Sequence, residues 1–163
     1  MSLFKGVEDP LRNPEIEYGD YKLRISTSGA WIQSFEENGE DILAPFGVTE
    51  AGKDRGGLHV CFPQFGPETD KGRERKDQIP QHGFARDLEW RLSSVEDAED
   101  GRVIRMKMPL REDWAKSVTK DAYPYDIDKS YPYDIDAELI YKLSGHGLEV
   151  RLVVSNRGSE PAP

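Results

Sequence analysis

The stretch Gln81–Trp90, QHGFARDLEW, sets a histidine four residues ahead of an arginine. His82 can give or take a proton near neutral pH. Arg86 is a permanent cation whose planar guanidinium holds phosphate or carboxylate through two parallel hydrogen bonds. Gly83, between them, lets the backbone approach a ligand closely. A second arginine, Arg55, opens the upstream stretch RGGLHVCFPQFGP and is expected to converge with Arg86. A lone histidine is ordinarily structural and a lone arginine ordinarily a surface ion pair. Their combination tilts the reading toward an anionic ligand beside a proton-transfer group.

The upstream stretch adds a lining. Gln64 lies between Phe62 and Phe65, so an amide can project toward hydroxyls from between aromatic rings. Sugars present C–H faces and hydroxyl edges and are bound by that mixture. Read simply as strand residues, Phe62 and Phe65 are expected to be buried. His59, Cys61 and His82 are a second constellation, since H-x-C puts two ligand types on one strand face. No fourth ligand is evident in the sequence, and neither a metal nor an organic cofactor is assigned.

These residues must be held by strands. In GRVIRMKMPL, Ile104, Met106, Met108 and Leu110 alternate with Arg105 and Lys107; in IDAELIYKLS, Ile135, Ala137, Leu139, Tyr141 and Leu143 alternate with polar neighbours. GLEVRLVVSN repeats the scheme with Leu148, Val150, Leu152 and Val154, and SGHG joins the last two strands as a hairpin. Period-two patterns of this kind mark strands with one buried face. YKLRIST, AWIQSFEENG and EDILAP form a meander, with SG and NGED as turns. RDLEWRLSSV is one more strand, closed by the acidic loop EDAEDG, and LREDWAKSVT has room for a turn or two of helix. The fold expected is all-β and antiparallel, with a long ordered loop around residues 48–86. Loops of that length are usually functional or disordered, and one carrying Phe62, Phe65 and Phe84 is expected to be ordered. YPYDID occurs twice, at Tyr123–Asp128 and Tyr131–Asp136. The offset of eight is even, so a strand slipping by one copy keeps its faces.

Composition removes several classes. The 163 residues suit one domain or part of one, and a net charge of −9 speaks against a nucleic-acid or anionic-membrane partner. The single cysteine cannot form an intrachain disulfide, which fits a reducing compartment. With no signal-like or membrane-length apolar run, the cytoplasm is the expected location.

RGGLHVCFPQFGP followed by IPQHGFARDLEW resembles the hexose-6-phosphate mutarotases, or glucose-6-phosphate 1-epimerases, of the aldose 1-epimerase superfamily. The early meander and LEVRLVVSNRGSEPAP resemble the family's first half. The resemblance implies that residues 1–163 are the N-terminal part of one large β-sandwich, galactose mutarotase-like and here incomplete. It implies interconversion of the α and β anomers of a hexose phosphate or hexose, with no cofactor. His82 would be the first active-site histidine, orienting the sugar near its ring oxygen. Arg55 and Arg86 would bind phosphate, and Gln64 would line the pocket. Leu58 and His59 depart from the isoleucine and proline common after the double glycine. The family's second histidine and its glutamate base have no counterpart up to Pro163, so this chain alone is expected to be inactive. The alternative is a non-catalytic module that binds a sugar or sugar phosphate. A half sandwich would leave apolar strand faces uncovered, so strands 102–110, 131–143 and 146–155 are expected to need a partner surface, which self-association could supply.

Overall fold

The computed structural model describes residues 13–44, 47–48, 54–68, 72, 74–119 and 124–162, of which Val48, Asp54 and Arg55 are described by backbone alone. Its first sheet is a meander of β1 (Glu15–Tyr18), β2 (Tyr21–Ile25), β3 (Ile32–Glu37) and β4 (Glu40–Asp41), each antiparallel to the next. The β3–β4 turn is Asn38-Gly39, both at positive φ (54° and 80°). Asn-Gly favours this geometry because its backbone twist matches that of the flanking strands. β5 (Gly47–Val48) and β6 (Asp54–Arg55) form a small separate hairpin.

The second sheet contains β7 (Arg91–Ala98), β8 (Gly101–Lys107), β9 (Ile135–Ser144) and β10 (Gly147–Asn156), in the order β10-β9-β8-β7. β9 is the central template. Ile135, Ala137, Leu139, Tyr141 and Leu143 are buried, and the residues between them are half-buried. The apolar faces of β1 and β2 lie against β8 and β9. Ile16, Leu23, Ile25 and Ile32 thereby share one core with Ile104, Met106, Leu139 and Tyr141. The Tyr141 hydroxyl crosses between the layers and donates to the Ala30 carbonyl at 2.7 Å.

Several expectations need correction. The partner surface expected for β8 and β9 is supplied by the first sheet of the same chain. Exposed valines remain on β10, at Val150, Val153 and Val154; β10 is the last strand of its sheet, outside the pair that β1 and β2 cover. Leu110 is exposed, since β8 ends at Lys107 and Pro109 then leaves the ladder. The strand expected over RDLEWRLSSV starts only at Arg91, and Ala85–Asp87 is a 3-10 turn. Arg111–Asp113 is also a 3-10 turn, and it carries the buried Trp114, whose indole donates to Pro109.

The described residues of the repeated hexapeptide take two conformations. In the first copy Ile127 opens the single helical turn α1 (Ile127–Ser130), capped by the Asp126 carboxylate, which accepts from the Lys129 amide. In the second copy Ile135 begins β9. Between them Tyr131 is buried against Phe62, Phe84, Trp114 and Tyr133, with ring centroids 5.0–6.4 Å away. This aromatic floor supports the long loop.

Candidate active site

The loop is ordered where it is described, and its two limbs are sewn together. Leu58 exchanges backbone hydrogen bonds with Ile32, at 2.8 and 3.1 Å. The Phe62 carbonyl accepts from the amides of Phe84 and Ala85, at 3.0 and 3.3 Å, and the Phe65 carbonyl accepts from His82 at 2.8 Å. Gly83 makes this closure feasible. It sits at φ +71°, and a Cβ there would lie 1.8 Å from the Phe62 carbonyl oxygen. Gly29 plays the same part beneath the site, where a Cβ would meet the Arg86 carbonyl at 2.1 Å. The Trp31 indole donates to that carbonyl at 3.3 Å.

This stitching gathers side chains from three segments. His82 adopts φ 69°, a left-handed conformation that histidine visits more readily than most residues. Its Nδ1 lies 3.5 Å from the Cys61 sulfur, which places Nε2 on the opposite side of the ring. His59 Nε2 lies 3.9 Å from the same sulfur. The His59 ring packs on Trp31 with centroids 4.2 Å apart, and Phe65 meets His82 edge-on at 4.9 Å. Arg86 directs Nη1 at His59 Nε2 over 3.4 Å and Nη2 at the Gln81 carbonyl, also over 3.4 Å. Because arginine only donates, His59 Nε2 is the acceptor there.

Arg86 is not an ordinary surface ion pair. Among the described residues no carboxylate pairs with it, and its Nε is buried without a hydrogen-bond partner. A guanidinium with no carboxylate to neutralise it among the described residues suits an incoming anion. Gln64 is turned differently from expectation: its amide nitrogen donates to the carbonyls of Gly66 (2.9 Å) and Ile79 (3.5 Å). The amide therefore clamps the two limbs. Phe65, expected to be buried, is 69% exposed beside His82, because the chain is already turning at Gly66 and the ring has no sheet to cover it. Arg55 lies on β6, paired with Gly47, and its side chain is outside the described residues. Of two acids close in sequence, Asp87 is buried and Glu89 accepts from the Thr27 hydroxyl at 2.6 Å. Trp31 was missed by sequence reasoning. Nothing local in AWIQ marks it, because its neighbours His59 and Arg86 reach it only through the fold.

The described residues form an antiparallel two-sheet β fold in which one loop brings a histidine and an arginine together. The solved structures agree on the fold. A galactose mutarotase-related enzyme from Lactobacillus acidophilus superposes with a TM-score of 0.64 at 23% identity, covering 92% of this chain and 45% of that one. A galactose mutarotase-like protein from Lactobacillus casei gives 0.62 at 23% identity, over 91% and 45%. Residues 15–163 match the aldose 1-epimerase family, and the chain belongs to it. Two curated relatives carry the description "putative glucose-6-phosphate 1-epimerase". The one from Escherichia coli is 29% identical over 116 residues, 69% of this chain and 36% of that protein. The one from Salmonella typhimurium is 25% identical over 138 residues, 81% and 42%. The chain thus spans well under half the length of these relatives. No helix among the described residues is long and apolar enough to cross a membrane.

Proposed function

We propose that residues 1–163 form the N-terminal part of a single mutarotase-like domain and supply the sugar-phosphate-facing side of a hexose-6-phosphate 1-epimerase. The substrate is the α or β anomer of glucose 6-phosphate or a similar aldose phosphate. One observation carries the reading: Arg86 has no carboxylate partner among the described residues, and through His59 it shares a cluster with His82.

Mutarotation requires a base to remove the proton on the anomeric oxygen and an acid to protonate the ring oxygen. The bond between C1 and the ring oxygen then breaks, rotation exposes the other face of the aldehyde, and reclosure inverts C1. His82 fits the donor side of this scheme. With Nδ1 turned to Cys61, Nε2 is the atom available to meet the ring oxygen. Arg86, joined by Arg55, anchors the phosphate and fixes the distance from phosphate to C1. The exposed Phe65 ring offers an apolar surface to the sugar's C–H face. Gln64 shapes the loop that carries these groups. Neither Asp87, which is buried, nor Glu89, which accepts from Thr27, is assigned as the base.

Two measurements test the reading. Saturation transfer NMR on equilibrated glucose 6-phosphate reads anomer exchange, and titration with glucose 6-phosphate against glucose reads binding. Exchange above buffer that His82→Ala abolishes supports the full reading. Saturable, phosphate-dependent binding without added exchange fits a chain that holds the sugar phosphate but lacks the base, and leaves the sugar-phosphate-binding module as the activity of this chain alone. If neither appears, or if Arg86→Ala leaves binding unchanged, the assignment fails.

A further inference from the structure

Three potential ligands of a soft divalent cation converge beneath the proposed sugar site. They are His59 Nε2, Cys61 Sγ and His82 Nδ1, all within 4.8 Å of one another and each half-buried. Tetrahedral zinc, with bonds of about 2.3 Å to sulfur and about 2.0–2.1 Å to nitrogen, requires sulfur–nitrogen separations of about 3.6 Å and a nitrogen–nitrogen separation of about 3.3 Å. The sulfur lies 3.5 Å from His82 Nδ1 and 3.9 Å from His59 Nε2. Closing the set therefore asks for a few tenths of an ångström between Cys61 and His59 and for up to about 1.5 Å between the imidazole nitrogens. Side-chain rotation of the two half-buried histidines supplies that movement. The elements are well placed to hold it. His59 and Cys61 flank Val60 on one limb of the loop, and His82 is fixed on the other by its backbone bond to Phe65. Trp31 backs His59 and Phe65 borders His82, so an apolar wall stands on two sides.

We propose that His59, Cys61 and His82 bind one divalent cation of zinc type, leaving a fourth position for water or a ligand oxygen. Thiolate with two imidazoles is a donor set suited to zinc and poorly suited to magnesium or calcium, which prefer oxygen. Binding releases the Cys61 thiol proton to solvent as the metal–sulfur bond forms. It also takes the lone pair of His59 Nε2, which now accepts from Arg86. Cation binding and that contact are mutually exclusive, and the guanidinium swings out when the site fills. A metal on His82 Nδ1 further fixes the neutral ring with its proton on Nε2, so the sugar-facing atom becomes a donor only. The cation therefore sits behind the imidazole and sets its tautomer.

This inference does not rest on mutarotation, and its test reads the metal alone. Tag-free full chain is titrated with Co²⁺, whose thiolate charge-transfer absorption reports cysteine ligation and whose visible bands report tetrahedral geometry; Zn²⁺ then competes. One equivalent of Co²⁺ should give both signals, and one equivalent of Zn²⁺ should erase them. Cys61→Ser should remove the charge-transfer band, and His59→Ala should weaken binding by more than the ~10–100-fold expected for loss of a supporting partner alone. His146→Ala, which alters the remaining histidine in the exposed β9–β10 turn, should change nothing. Arg86→Gln should tighten binding by removing the competing donor and a neighbouring positive charge. Far-ultraviolet circular dichroism confirms that each variant is folded. Absence of a thiolate band in the folded wild-type chain overturns the proposal. So does an affinity insensitive to His59→Ala, or weaker binding in Arg86→Gln.

Discussion

Gly83→Ala tests the joint that holds the site together. The added Cβ would stand 1.8 Å from the Phe62 carbonyl oxygen, 2.2 Å from its carbon and 2.8 Å from the Pro63 nitrogen. All three are backbone atoms, so no side-chain rotation relieves the contact. Reaching ordinary van der Waals separation moves the two limbs apart by about 1.5 Å, an overpacking strain that typically costs ~1–3 kcal/mol. The residue sits at φ +71°, which adds roughly 1–2 kcal/mol for a side chain in the left-handed region. The displaced Phe62 carbonyl gives up the amides of Phe84 and Ala85, at about 1 kcal/mol each. These terms overlap because one movement relieves several, so the expected loss is ~3–5 kcal/mol. That is a large share of a stability of roughly 5–15 kcal/mol. Urea unfolding followed by tryptophan fluorescence measures it, since Trp114 lies 4.9 Å from Phe84 in the floor beneath the joint. Gly66→Ala is the control: it lies in the same loop with open space around its Cβ position and should fall within ~0.5 kcal/mol of wild type. A Gly83→Ala loss below about 1 kcal/mol, or one equal to that of Gly66→Ala, would refute the argument that close backbone approach fixes this residue.

Tyr141→Phe should cost ~1–3 kcal/mol in urea, because it strands the buried Ala30 carbonyl that the hydroxyl serves. Burial also raises the Tyr141 phenol above its ordinary 10.0. The folded chain keeps that proton while the unfolded chain loses it, so the contribution is complete below about pH 10 and declines as pH rises further. Wild type should therefore lose stability above about pH 10 more steeply than Tyr141→Phe, and parallel curves would contradict the assignment. Asp126→Ala should cost ~1 kcal/mol by thermal or urea unfolding, as loss of the α1 cap. The equivalent change in the second copy, Asp134→Ala, is at an exposed side chain and should stay within ~0.5 kcal/mol. Arg86→Lys keeps the charge but loses the planar fork, so glucose 6-phosphate should bind it more weakly than wild type and more tightly than Arg86→Ala. Isothermal titration ranks the three.

How much the sequence determines differs between strands and site. The period-two rows of β8 and β9 and the Gly-rich β9–β10 turn are legible in one dimension, since alternation needs only a sheet with one covered face. What covers that face is decided by β1 and β2, and the short EIEY strand has too few residues to announce itself. His82 and Arg86 are conspicuous by type and spacing, and the long loop is conspicuous by its aromatics. The orientation of these side chains is set elsewhere. Gln64 turns inward because Gly66 and Ile79 present carbonyls to it, and Phe65 turns outward because no strand lies over it.

YPYDID shows where local information ends. Identical hexapeptides contain Ile127 in a helical turn and Ile135 in the central strand, and both isoleucines are buried. Local propensity is the same in the two copies. The difference comes from surroundings: Ile135 starts the ladder along β8 and β10, while Asp126 has the Lys129 amide within reach for a cap. The sequence by itself determines which residues are apolar, which can transfer a proton and which stay charged. The tertiary structure alone decides that His59, Cys61 and His82 share one point in space, because backbone bonds between residues distant in sequence, Phe62 with Phe84 and Phe65 with His82, hold the two limbs together.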